Sequence, residues 1–199
     1  MKGTVNYILG HSRRLNFIKR FNTRIKSYEE PVSAHSFYVT MYSFIIATLM
    51  KKNGRVIDVE LTIKKALFHD LEESIAGDIL TPFKKQFKKE YHALCDLAFK
   101  QITGGLDEGI KDEIEGYWSE AKIGLEGHVV DYCDDLAGAV YCIEQLNSGN
   151  QYFNDIFDDY LSRLKVKSDD PTLTKMTQEL ELRHKEILNA KGHISHPIS

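Results

Sequence analysis

The sequence predicts a single all-α domain, and three observations carry that prediction. Only four prolines occur, at 31, 82, 171 and 197, each where a helix would start or a tail begin. No stretch sustains the period-two alternation of a half-buried strand, and no internal repeat interrupts the helical spacing. The chain's 199 residues, 42% hydrophobic and 28% charged, suit one ordinary domain with a substantial core.

Apolar spacing predicts a first helix over Val5 to Phe21, carrying Arg13, Arg14, Lys19 and Arg20. A polar connector follows from Arg24 to Glu30. Pro31-Val32-Ser33 opens a second helix with Ser33 as N-cap, and Asn53-Gly54 ends it. Its inward stripe is Val39, Tyr42, Ile46 and Leu49, which His35 extends by one turn. A third helix passes through Leu61–Phe68 into His69-Asp70-Leu71-Glu72-Glu73 and breaks at Gly77. Thr81-Pro82 caps and starts a fourth, Phe83 to Ile102, rich in lysine. After Thr103-Gly104-Gly105, a short helix spans Asp107 to Lys122 with the lone Trp118. Leu125 to Leu146 carries a clear stripe of Val129, Cys133, Leu136, Val140 and Ile143, closed by Ser148-Gly149-Asn150. Two more helical stretches cover Phe153 to Leu164 and Thr172 to Ala190. The domain is therefore read as 1–190, with 191–199 a loosely ordered tail whose His193 and His196 carry no role.

A net charge of -3 gives no electrostatic footprint for nucleic acid or an anionic membrane, so neither is an expected partner. No apolar run approaches bilayer length and no signal pattern follows Met1, so the expected location is cytoplasmic. Cys95, Cys133 and Cys142 are an odd count without CxxC spacing. They read as small buried hydrophobes in a reducing compartment.

Chemistry concentrates at His69-Asp70, which puts an imidazole and a carboxylate at the end of an apolar run. If the helix persists to Glu73, that carboxylate lies on the same face. Asp134 borders the stripe of its helix beside small Ala137 and Gly138, which let another element come close. Asp131 and Asp135 fall on a neighbouring face that meets water. With His35, these make two imidazoles and two carboxylates on three helices, a set suited to a divalent metal with open positions for water and substrate. Spacing alone does not select this set, since an adjacent His and Asp also suit a helix end with solvated acids. The cluster Lys84, Lys85, Lys88 and Lys89 reads as a solvated face, with Lys84 a candidate phosphate contact. His11, His92, His128 and His184 read as surface residues; a second metal on His92 and His128 is the alternative weighed against that.

The order of a His, an adjacent His-Asp and a distant Asp resembles the HD-domain metal-dependent phosphohydrolases. The nearer resemblance is to bacterial HD-type 5'-deoxyribonucleotidases of the YfbR kind, and it runs from about Phe17 to Asn150. Arg20-Phe21 looks like that group's Arg-Trp pair, and Val32-Ser33-Ala34-His35-Ser36 like its Val-Ser-Glu-His-Ser. His69 through Thr81-Pro82-Phe83-Lys84 is similar to its His-Asp-x-x-Glu…Gly-Asp…Thr-Pro-x-Lys run. Tyr132-Cys133-Asp134, with Cys142-Ile143-Glu144-Gln145-Leu146 and Gly149-Asn150, is similar to its last ligand helix.

The resemblance implies an HD-domain helical bundle holding one divalent ion (Mn, Co, Fe, Zn, Ni or Mg) through His35, His69, Asp70 and Asp134. It implies hydrolysis of nucleoside 5'-monophosphates through a metal-activated water, by a homodimer. By the same carry-over Glu73 is the carboxylate near the attacking water, Arg20 a phosphate contact, and Asp78 a group near the sugar and leaving oxygen. Phe21, Thr81 and Lys84 complete the substrate-contacting set. Phe21 stands where the group has Trp against the sugar, and its smaller ring leaves room for a 2'-hydroxyl; selectivity for deoxyribose is not carried over. Ala34 replaces a Glu at a position that is not a ligand. The competing readings are an HD phosphohydrolase of another nucleotide, such as a deoxynucleoside triphosphate or guanosine tetraphosphate, and a nucleotide-binding regulator without turnover. Such regulators usually lose a ligand or the acidic pair, and here every position is filled.

Overall fold

The computed structural model describes residues 2–192. Among them the only extended pairing is an isolated antiparallel bridge between Lys19 and Pro31; the remaining regular structure is helical. The 193–199 part of the expected tail lies outside the described residues.

The N-terminal arm comprises α1 (Lys2–Asn6), a π turn (Tyr7–His11) and α2 (Ser12–Arg14). The helix expected to reach Phe21 stops at Arg14, because the following backbone pairs across a loop instead of along a helix. Arg20 N–H donates to the Glu30 carbonyl and Val32 N–H to the Ile18 carbonyl, both at 2.9 Å. The chain then turns at Phe21, whose φ of 53° is in the left-handed region.

Four long helices build the main core: α3 (Val32–Lys52), α4 (Val59–Phe68), α9 (Gly124–Asn147) and α10 (Asn154–Lys167). Val39, Ile46, Met50, Val129, Cys133, Leu146, Phe153 and Phe157 meet at its centre. α11 (Pro171–Gly192) closes one side with Leu173 and Ile187. A smaller cluster of Leu71, Phe99, Ile102 and Ile114 joins α7 (Lys88–Thr103) to α8 (Glu108–Ser119). All three cysteines are free and buried, as expected.

Several local expectations change. Pro31, not Ser33, occupies the N-cap of α3, with no side-chain cap bond. The buried face of α3 is Val32, His35, Ser36, Val39, Ser43, Ile46, Ala47 and Met50, while Leu49 is exposed and Tyr42 half-buried. With 21 residues and a mean hydropathy of 1.3, α3 is long and apolar enough to cross a membrane, contrary to expectation, although in this fold it packs on α4 and α9. The third helix does not persist to Glu73. α4 ends at Phe68, His69 to Glu72 form a turn, and α5 (Glu73–Ala76) restarts after it. α6 (Thr81–Gln86) takes Leu80 as N-cap and is separated from α7 by Phe87. His184 is buried, with its ring 3.9 Å from that of Phe157. His11 and His128 are half-buried, and of these four only His92 is fully at the surface.

The expected close approach at Gly138 is present. A Cβ there would stand 2.3 Å from Cζ of the buried Tyr160 ring on α10. Alanine normally favours a helix over glycine by about 1 kcal/mol, but a rigid ring cannot yield by that distance. Gly138→Ala is expected to cost about 1–3 kcal/mol by overpacking. The check is a thermal melt, which should drop by several degrees.

Candidate metal centre and nucleotide cavity

The bridge between Lys19 and Pro31 is the first device that builds the site. It brings Arg20, Glu30 and the first turn of α3 together, so that Arg20 Nη1 donates to Glu30 Oε2 at 3.0 Å and to His35 Nδ1 at 2.7 Å. Arginine has no acceptor, so Nδ1 of His35 accepts and its Nε2–H donates to Asp134 Oδ1 at 3.0 Å. Arg20 Nη2 also donates to the Tyr160 hydroxyl at 3.4 Å. Burial, then the Arg20 charge, lower the His35 imidazole to about 4, which keeps it neutral.

The second device is the break after α4. It leaves His69 at the C-cap, where its Nδ1–H donates to the Ala66 carbonyl at 2.7 Å. That bond aims Nε2 inward, where it is buried without a hydrogen-bond partner, 3.1 Å from Asp70 Oδ2. Asp70 Oδ2 is also 3.6 Å from His35 Nε2. One ligand atom from each of His35, His69 and Asp70 lies within 4.8 Å of the others, and Asp134 adjoins them through His35. All four residues singled out in the sequence therefore converge.

The set fits a divalent cation. A histidine ligand ordinarily donates its outer N–H to a backbone carbonyl while its inner nitrogen binds the ion, which is how His69 is arranged. Without a cation, a proton takes its place. Burial would lower the His69 imidazole, but Asp70 beside it outweighs burial and raises it to about 9. Burial likewise opposes ionisation of Asp134, yet Lys122 and His35 hold it well below the usual carboxylate range. Two neutralisable imidazoles and two ionised carboxylates are donors for Mn, Fe, Co, Ni or Zn.

The carboxylates expected to act line the same cavity, of about 490 Å³. Glu73 is buried at the start of α5 and accepts from Lys84 Nζ at 3.1 Å; that lysine also lies over the Tyr91 ring. Burial and the neighbouring Asp70 push the Glu73 carboxyl well above its ordinary value. Asp78 follows Gly77, whose φ of 76° allows the turn, and burial raises its carboxyl despite Arg20 and Lys84. Thr81 lines the cavity from α6. Phe21 lies at its wall, stacked on Tyr141 with centroids 5.1 Å apart and planes 8° from parallel.

Three features were missed in the sequence. Asp135 does not meet water; it is buried, paired with Arg163 at 2.9 Å and Lys167 at 2.7 Å from α10. Glu72 is buried, accepts from Trp118 Nε1 at 2.7 Å, and is raised to about 7 by burial and by Asp70. Lys122 reaches Asp134 Oδ2 at 2.6 Å. Each depends on a partner from a distant helix or turn, and no local pattern marks it.

The family model for YfbR-like 5'-deoxynucleotidases matches residues 8–179. This chain belongs to that family. Among curated relatives of the YfbR-like family, a 5'-deoxynucleotidase of Klebsiella pneumoniae (strain 342) is 28% identical over 153 residues, 74% of this chain and 77% of that protein. The 5'-deoxynucleotidase YfbR of Salmonella arizonae is 29% identical over 157 residues, with the same coverage. The fold is that of an HD-domain phosphohydrolase from Listeria innocua, with a TM-score of 0.76, 20% identity, and 94% and 99% of the two chains covered. The cyanophage S-2L HD phosphohydrolase DatZ, solved with dA and one catalytic Zn2+, shares the fold at a TM-score of 0.58 and 18% identity, covering 90% of this chain and 95% of that one.

Proposed function

We infer that this YfbR-like chain is a metal-dependent phosphohydrolase that releases phosphate from nucleoside 5'-monophosphates. The observation that carries the reading is the buried Nε2 of His69, aimed by the Nδ1–H bond to Ala66 at Asp70 beside His35 and Asp134. Membership of the 5'-deoxynucleotidase family supports the substrate class. His35, His69, Asp70 and Asp134 would hold a divalent ion, which when bound would supply Lewis acidity toward water and a phosphoryl oxygen.

The chain's own groups do the rest. Arg20, kept in place by Glu30 and Tyr160 and lining the cavity, is the guanidinium that contacts the phosphate. Lys84 adds charge from the α6 side, and Thr81 and Phe21 border the nucleoside. Glu73 takes the proton of the attacking water at its carboxylate. Asp78, lining the same cavity, protonates or positions the departing 5'-oxygen. Phe21, stacked on Tyr141 at the cavity wall, is smaller than the tryptophan of the group it resembles, and both ribo- and deoxyribonucleotides are taken as substrates. The exposed face of α3, with Phe37, Tyr38, Met41, Phe44, Ile45 and Leu49, is the face for the second copy of a homodimer in the cytoplasm.

The test is a panel of ribo- and deoxyribo-5'-monophosphates, 3'-monophosphates and triphosphates, each with Mn, Co, Mg, Zn and Fe. Phosphate release confined to 5'-monophosphates is the expected result. Preference for triphosphates would overturn the reading.

A further inference from the structure

We propose that Lys122 is a phosphate-contacting catalytic residue, whose ammonium binds a non-bridging oxygen of the substrate across the cavity from Arg20. The inference rests on the proposed phosphohydrolase reading and adds a residue to its machinery.

The first support is place. Lys122 lines the same cavity as Arg20, Lys84 and the four convergent residues, and its Nζ is 2.6 Å from Asp134 Oδ2. Asp134 turns its other oxygen to His35. The ammonium is therefore separated from the candidate metal position by the width of one carboxylate.

The second support is that the backbone is built to hold it there. Lys122 lies in the turn between α8 and α9, and Gly127 in the first turn of α9 has no Cβ. A Cβ on Gly127 would stand 2.5 Å from the Lys122 carbonyl carbon, so only glycine lets the turn lie this close. Gly127, Asp131 and Asp134 recur at four and then three residues, along one face of α9. Lys122 lies along that face and touches both carboxylates, Asp131 at 3.3 Å. From the other side, the buried Lys65 of α4 donates to the Ile123 carbonyl at 2.7 Å, tying the turn to the helix that leads into His69.

The third support is charge. Arg20 is balanced by Glu30, Lys84 by Glu73, Arg163 by Asp135 and Asp159, and Lys167 by Asp131 and Asp135. Lys122 alone among these cations takes its closest carboxylate from the candidate ligand set. Once Asp134 is committed to a divalent ion, its negative charge is taken up there, and Asp131 is already shared with Lys167. Lys122 then has charge to offer an incoming phosphate dianion alongside Arg20 and Lys84. Its side chain is half-exposed, so it can turn from carboxylate to substrate without disturbing the core.

The test uses the full chain as wild type, Lys122→Met and Lys122→Arg, with Co2+ loading verified by metal analysis. Inorganic phosphate is the probe, read by calorimetry on the loaded proteins and as a product inhibitor. Lys122→Met should weaken phosphate binding about 10- to 100-fold and lower kcat/KM for a 5'-monophosphate at least as much. Lys122→Arg should recover most of both. Co2+ affinity of metal-free Lys122→Met should be unchanged or tighter, because a neighbouring cation has been removed, and its melting temperature should stay close to wild type. Unchanged phosphate binding in Lys122→Met at full loading would overturn the proposal. So would weakened Co2+ binding with phosphate constants intact, which would assign Lys122 to positioning Asp134. A wild type that hydrolyses no 5'-monophosphate would instead defeat the underlying reading, while the calorimetric comparison still decides the contact.

Discussion

Glu73→Gln is expected to lower kcat by about 10²- to 10⁴-fold, the usual contribution of a general base. Glutamine keeps the shape of the side chain and can still accept from Lys84, now 3.1 Å from Glu73 Oε1, but its amide cannot take a proton from water. Glu73 is outside the set of four convergent residues, so bound metal should remain at wild-type stoichiometry. Turnover and metal content measured on the same preparation separate the two roles. Full turnover in a fully loaded Glu73→Gln would place the proton transfer on another group.

Removal of the metal is the second large effect. Chelation should abolish activity, and His69→Ala should not regain it at any ordinary concentration of added ion. The pH dependence of uptake follows from His69, whose imidazole is raised from 6.5 to about 9 in the metal-free protein by Asp70 against the effect of burial. An ion binds the neutral ring, so below about pH 9 its entry displaces a proton. Apparent affinity should therefore rise about tenfold per pH unit up to about 9 and then level off. The sign for stability is opposite. A raised imidazole stabilises the metal-free fold fully below pH 6.5, and that contribution is lost as pH climbs through 9. Calorimetric titration across pH 6–10, with His69→Ala as control, checks both.

Much of this was legible in the chain. The residues of α9 announce a long helix by their stripe, and Asp134 stands at its edge with Ala137 and Gly138 leaving space, which Tyr160 fills. His35 in the first turn of α3 follows from Pro31 and the apolar period. Resemblance, not spacing, selected the four residues from the many His and Asp. What stayed hidden required partners far along the chain. The early end of the first helix depends on Glu30 and Ile18 carbonyls reached across a loop. The burial of Asp135 depends on Arg163 and Lys167, which a helical wheel of α9 cannot contain. The turn at His69 to Glu72 interrupts a pattern that periodicity would extend unbroken.

The Lys19–Pro31 bridge has a consequence for how the molecule assembles. It closes a short loop, so Arg20, Glu30 and His35 can find one another early, at small entropic expense. The His35–Asp134 contact spans 99 residues and must wait until α9 docks. A cation gripping both would join parts of the polypeptide that lie far apart along the chain, acting as a latch on the finished fold. Its loss would speed unfolding more than it slows refolding.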